Sequence, residues 1–168
     1  MPSITHTHTW TTLSRKQNSK VMSSLHSWKG TPYRELDRIK AMGVDCFQLI
    51  AAFLDEMFDC KPGTTQLPRL SASTSRNNPG AAQPAISCLR RAHHGSEEVD
   101  DGTIQTGDIL VVRSILRTDG HRYEGHTMIA GENPWSVLHA VRPKVDWTSC
   151  EGRDIVKIYR PREKQLWI

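Results

Sequence analysis

The side chains in this 168-residue chain best suited to nucleophilic chemistry are four cysteines and eight histidines. A cysteine attacks as its thiolate, so a reactive one needs surroundings that lower its pKa. The start of a helix supplies these, through unpaired N–H groups and the positive end of the macrodipole. Cys46 follows Asp45, an N-cap residue type, and opens a long apolar run. Cys60 falls at a helix exit, Cys88 in a segment without clear pattern and Cys150 in a loop. Position therefore favours Cys46 as nucleophile. The same position also suits a small buried residue opening an amphipathic helix, and position alone does not separate the two.

A nucleophilic thiol needs an imidazole within reach, oriented by a third polar group. His126 opens one strand-like run and His139 lies inside another, with the turn formers Gly131-Glu132-Asn133-Pro134 between them. If those strands are neighbours, the two rings lie side by side and His139 can set the tautomer of His126. The remaining histidines, His6, His8, His26, His93, His94 and His121, read as structural or exposed. His6-x-His8 and His93-His94 lack a third ligand, and the cysteines contain no C-x-x-C pair, so no metal site and no cofactor is expected.

The elements that must position these groups follow from patterning. Residues 1–19 read as a flexible arm, and residues 20–168 as a single domain. Val21, Met22, Leu25 and Trp28 recur at helical spacings up to Gly30-Thr31-Pro32. Residues 43–58 form the strongest helix, with an apolar stripe at positions 46, 49, 50, 53, 54 and 57, closed by Lys61-Pro62-Gly63. Residues 64–83 read as an irregular loop, 86–93 as a short helix and 95–102 as an acidic turn. Strands are expected at 109–112, 126–130, 137–141 and 155–159. Helices first and antiparallel strands afterwards is an α+β arrangement.

Composition excludes several classes. With 37% hydrophobic and 24% charged residues, the chain can bury one core without disulfides or metals. No stretch approaches the roughly 18 apolar residues needed to span a bilayer. Residues 1–19 lack the apolar centre of a secretory signal, so synthesis in the cytoplasm is expected, with non-standard delivery if the protein acts at a cell wall. The net charge of +4 favours anionic partners, but the basic residues are scattered and not interleaved with aromatics, so no nucleic-acid role is expected.

Five segments resemble, in order, the landmarks of the NlpC-type cell-wall peptidases. They are Trp28-Lys29-Gly30-Thr31-Pro32-Tyr33-Arg34, Gly43-Val44-Asp45-Cys46, Gly107-Asp108-Ile109-Leu110, the run from Gly125-His126 to Ala130, and Leu138-His139-Ala140. The first segment and the missing signal look closest to the phage- and prophage-encoded branch. The resemblance implies a papain-like α+β fold, with Cys46 as nucleophile, His126 as base and His139 orienting it. It implies that Tyr33 assists the oxyanion site. Asp45 matches an acidic residue that in some members contacts the substrate amine, a role that competes with N-capping. The implied activity is that of a cysteine peptidase or amidase acting on peptidoglycan stem peptides near D-glutamate and a diamino acid. A phage tail or secretion apparatus would be a partner.

The chain also departs from that pattern. The usual Asp-Cys-Ser-Gly reads Asp45-Cys46-Phe47-Gln48, placing bulky Phe47 where a small residue lines the substrate groove. Residues 35–42 replace the usual Gly-Gly, and residues 60–102 carry no landmark. These departures leave open a non-catalytic tail or wall-binding module. They equally leave open an amidase or acyltransferase of the same fold with another substrate, including a wall-attacking toxin.

Overall fold

The computed structural model describes residues 8–11, 14–35, 37–65, 96–115 and 122–161. The chain order is β1 (Thr9–Thr11), α1 (Arg15–Trp28), β2 (Arg38–Ile39), β3 (Gly43–Val44), α2 (Cys46–Met57), β4 (Ser96–Val99), β5 (Thr103–Gln105), β6 (Ile109–Ile115), β7 (Arg122–Ala130), β8 (Ser136–Ala140), β9 (Val145–Ser149) and β10 (Ile155–Pro161). Two helices and a mostly antiparallel sheet make this an α+β fold, as the patterning implies.

Helix α1 starts where its cap allows. The Ser14 hydroxyl accepts from the Gln17 N–H, and the Gln17 side chain accepts from the Ser14 N–H, a capping box that satisfies two end donors. Val21, Ser24, Leu25 and Trp28 are buried along one face. Residues 9–11 and 15–19 therefore belong to regular elements, which corrects the reading of 1–19 as a flexible arm over that part. Residues 1–7 lie outside the described residues. Helix α2 is buried nearly all round, with Glu56 alone of its twelve residues outside the buried class.

The main sheet has the order β4-β10-β6-β7-β8-β9, each neighbour antiparallel. Residues 109–112 of β6 are all fully buried because the sheet has apolar material on both faces. Ile109, Val111, Ile129 and Leu138 pack with α1 and α2. Leu110, Val112, Met128, Val137 and Cys150 pack on the other side with Ile104 and Trp10, carried by the parallel β1–β5 pair. Such double coverage reads in sequence as an unbroken apolar run.

Four expected strands are present and extend further than expected at several ends. The acidic segment 95–102 is not simply a turn, because Ser96–Val99 pairs with β10. The loop over 64–83 and the helix over 86–93 lie almost wholly outside the described residues. Among the described residues no helix is long and apolar enough to cross a membrane.

One buried ion pair ties the second core together. Asp108 is fully buried at the β5–β6 turn, and its oxygens accept from Arg160 Nε and Nη2 at 2.9 and 2.8 Å. Burial raises the Asp108 pKa, and the Arg160 guanidinium opposes that rise. Removing one partner leaves an uncompensated charge. Arg160→Ala should therefore destabilise the fold by about 3 kcal/mol in urea titration, and adding Asp108→Ala should recover part of that loss.

Candidate active site

The site starts with the backbone of α2. Asp45, fully buried, accepts at Oδ1 from the Phe47 N–H at 3.0 Å and the Gln48 N–H at 2.8 Å. It is the N-cap expected from its position, and its burial favours capping over contact with a substrate amine. Cys46 is the first helical residue and is 4% exposed. Burial pushes its thiol up to about 12, and the Asp45 carboxylate adds to the rise. The neighbouring Thr127 and the Phe47 backbone act in the opposite direction.

Thr127 was not singled out by the sequence. It is 1% exposed, and its hydroxyl donates to the Cys46 carbonyl at 2.8 Å, joining β7 to the first turn of α2. It immediately follows His126, so the bond carries the helix start to the strand that bears the candidate base. The signal was invisible in sequence because a threonine in a strand ordinarily reads as a β-former.

The two candidate histidines meet. Strands β7 and β8 pair at Ile129↔Leu138 and Ala130↔Val137 around the Gly131–Pro134 turn. His126 Nε2 lies 2.9 Å from His139 Nδ1, with the rings edge to face at a centroid distance of 5.2 Å. His139 is pushed down to about 4, first by burial and then by the Arg153 charge, while Asp146, its register partner on β9, opposes this. A neutral His139 can accept at Nδ1, and the tautomer that makes His126 Nε2 the donor puts the His126 lone pair on Nδ1.

Tyr33 bridges to Val44, and its N–H donates to the Pro143 carbonyl at 2.9 Å, so it spans the segment before Cys46 and the segment after His139. Phe47 points elsewhere. It is 2% exposed and belongs to the helix-side core, so its bulk fills the interior and does not line a groove. Cys60 is partly exposed and Cys150 is buried with its thiol pushed up to about 11 by burial; Cys88 lies outside the described residues. Among the described residues no group of three His, Cys, Asp or Glu is placed to hold a metal ion.

No protein-family model matches the chain, and neither does any curated protein. Solved structures do. One, described as similar to a lipoprotein of the NLP/P60 family from Staphylococcus aureus subsp. aureus Mu50, superposes with a TM-score of 0.56 at 19% identity, over 90% of this chain and 43% of that one. Another, NlpC1 from Trichomonas vaginalis, gives 0.56 at 14% identity, over 89% of this chain and 45% of that one. The fold is shared with NLP/P60 structures. The chain spans less than half the length of either neighbour, and at these identities the likeness concerns the fold alone. Neither description speaks to a phage-encoded branch.

Two outcomes test this geometry. A His whose folded pKa lies below its unfolded value binds its proton more weakly when folded, so stability falls as pH drops from about 6.5 towards about 4 and levels off below. Denaturant titrations across that window should show a loss of up to about 3 kcal/mol that His139→Gln removes. Thr127→Val should slow the site's chemistry about tenfold and move thiol alkylation to higher pH, whereas Thr127→Ser should stay near wild type. Unchanged alkylation in the Val variant would remove Thr127 from the site.

Proposed function

We propose that this chain is a papain-like cysteine peptidase or amidase with Cys46 as nucleophile, His126 as general base and His139 orienting the base. The observation that carries this reading is the His126–His139 ring pair at 2.9 Å across β7 and β8, with His126 next to Thr127, which ties β7 to the Cys46 carbonyl. The NLP/P60 fold likeness supports it.

In this reading the buried thiol keeps its proton until substrate arrives, because burial and Asp45 both disfavour the thiolate. His126 takes the proton at Nδ1 as the Cys46 sulfur attacks the amide carbonyl carbon. The carbonyl π electrons move onto oxygen. Asp45 already occupies the Phe47 and Gln48 amides, so the Cys46 N–H and the Tyr33 hydroxyl are the donors assigned to the oxyanion. Each such donor is typically worth about 10² to 10³ in rate. The C–N bond then breaks, with the His126 proton passing to the amine, and leaves a thioester on Cys46. Water gives a proton to His126, attacks the thioester and releases the acid and the thiol.

His139 contributes orientation. Held neutral, it accepts from His126 Nε2 and keeps the lone pair on the nitrogen that must receive the thiol proton. The substrate we assign is a peptidoglycan stem peptide cut next to D-glutamate, on the resemblance of the sequence landmarks and the fold. Delivery to a wall, by a phage tail or a secretion route, belongs to the same proposal.

Mass spectrometry of purified muropeptides after digestion tests the assignment. The wild-type chain should release stem-peptide fragments, and Cys46→Ala should reduce the rate by at least about 10³-fold. Full activity in that variant would overturn the nucleophile. Retention on intact wall without any fragment release would instead favour the binding-module alternative.

A further inference from the structure

An exposed cation on the segment that follows β8 stacks on Tyr33. Arg142 lies three residues beyond His139, its side chain is 70% exposed, and its guanidinium carbon sits 5.3 Å from the centre of the Tyr33 ring. The stacking is held by backbone on both sides. Tyr33 donates to the Pro143 carbonyl at 2.9 Å, Pro32 bridges to Lys144, and Tyr33 bridges to Val44, two residues before Cys46. The guanidinium is therefore positioned by its aromatic floor while most of it faces solvent. A stacked arginine keeps its in-plane N–H groups available at its edge, in a fork that fits a carboxylate.

The neighbouring charges are mixed, and their balance bears on the ligand. Glu35 approaches Arg142 at 3.8 Å, beyond good hydrogen-bond distance, so this ion pair leaves donor capacity on a group with five N–H bonds. Asp146 and Arg153 both act on His139 from the β9 side, with opposite effects on its pKa, and Arg153 has the larger effect. Lys144 follows in the same segment. Arg142 and Lys144 are thus both exposed on the segment that follows β8, with Glu35 beside Arg142.

We infer that Arg142, stacked on Tyr33, is the recognition group for a carboxylate carried by the substrate residue beside the scissile amide. The inference rests on the peptidase reading and specifies that site: the substrate is acidic next to the cut, and masking its carboxylate as an amide weakens it. Arg142 acts on binding and register. It takes no part in proton transfer. Phe47, buried in the core, supplies no polar group for this purpose.

Two synthetic stem peptides separate the possibilities, one with a γ-linked D-glutamate bearing its α-carboxylate and one with the α-amide. Wild type should prefer the acid by about tenfold or more in kcat/KM, the scale of a charge-assisted hydrogen bond. Arg142→Ala should bring the ratio close to one, chiefly by raising KM for the acid roughly 10- to 100-fold. Arg142→Lys should restore part of the preference, because it returns the charge without the fork. A ratio unchanged in Arg142→Ala overturns the inference and leaves the peptidase reading standing. If wild type cleaves neither peptide, the peptidase reading fails on this substrate. The subsite is then judged by calorimetric titration of both peptides into Cys46→Ala, alone and with Arg142→Ala. Tighter binding of the acid that depends on Arg142 sustains it; equal binding of the two, or none, overturns it.

Discussion

Everything at the candidate site depends on how the buried start of α2 satisfies its backbone. A helix enclosed on all sides cannot leave its first amides to water, and an unpaired buried donor costs about 1 to 3 kcal/mol. Asp45 meets two of them with one oxygen. The carboxylate that closes the helix end also stands next to Cys46 and opposes its ionisation. Cap carboxylate and thiolate are thus in electrostatic conflict. Thr127 donates to the Cys46 carbonyl and lowers the thiol pKa from the β7 side, and in the proposed mechanism His126, the residue before it, removes the proton only when there is a carbon to attack. A resting thiol of this kind is protected from adventitious oxidation, since the thiolate is the reactive form.

The histidine pair answers a related constraint. Two imidazoles in contact cannot both be cations at modest cost, so one of them must be held neutral. Burial does this to His139, with Arg153 reinforcing it. In the proposed mechanism the partly buried His126 is then the member of the pair that serves as base.

Legibility in the sequence followed the position of each element in the sheet. The inner strands β6, β7, β8 and β10 show apolar runs because each has two neighbours and covered faces. Both strands at the sheet edges were missed. β4 reads Ser96-Glu97-Glu98-Val99 and β9 reads Val145-Asp146-Trp147-Thr148-Ser149, with Glu97 and Glu98 exposed and Asp146 partly so. Charged edges are how sheets avoid pairing with other chains, and they erase the periodic signal. The start of α1 was missed for a different reason: its first turn, Arg15-Lys16-Gln17-Asn18, is held by a capping box and carries no apolar stripe. Cys46, His126 and His139 were legible as residue types at interpretable places. Thr127 was not, since its part depends on which helix β7 abuts. The resemblance to Asp-Cys-Ser-Gly places Phe47 in a groove, whereas it is buried because α2 is covered on nearly every side.

The segment through Tyr33 explains how two halves distant in sequence keep a fixed separation. Gly30 donates to the Val145 carbonyl and Val145 to the Thr31 carbonyl, each at 2.8 Å, and Tyr33 donates to Pro143. On the other side Arg34 donates to the Val44 carbonyl and Val44 to Pro32. The strap is therefore stitched at once to the β8–β9 connection and to the residues that lead into Cys46. Its packing tolerates little change: a Cβ at Gly43 would come within 2.5 to 2.8 Å of the Arg34 side chain. Because the strap fixes the helix start relative to the end of β8, it also sets where Tyr33 and Arg142 stand with respect to both. In the proposed reading, with Phe47 turned into the core, side chains on the strap and on the turn beyond His139 read the substrate. On that reading, the departure from the NlpC-type pattern at Phe47 moves selectivity away from α2 and leaves Cys46, His126 and His139 where the helix cap and the ring pair hold them.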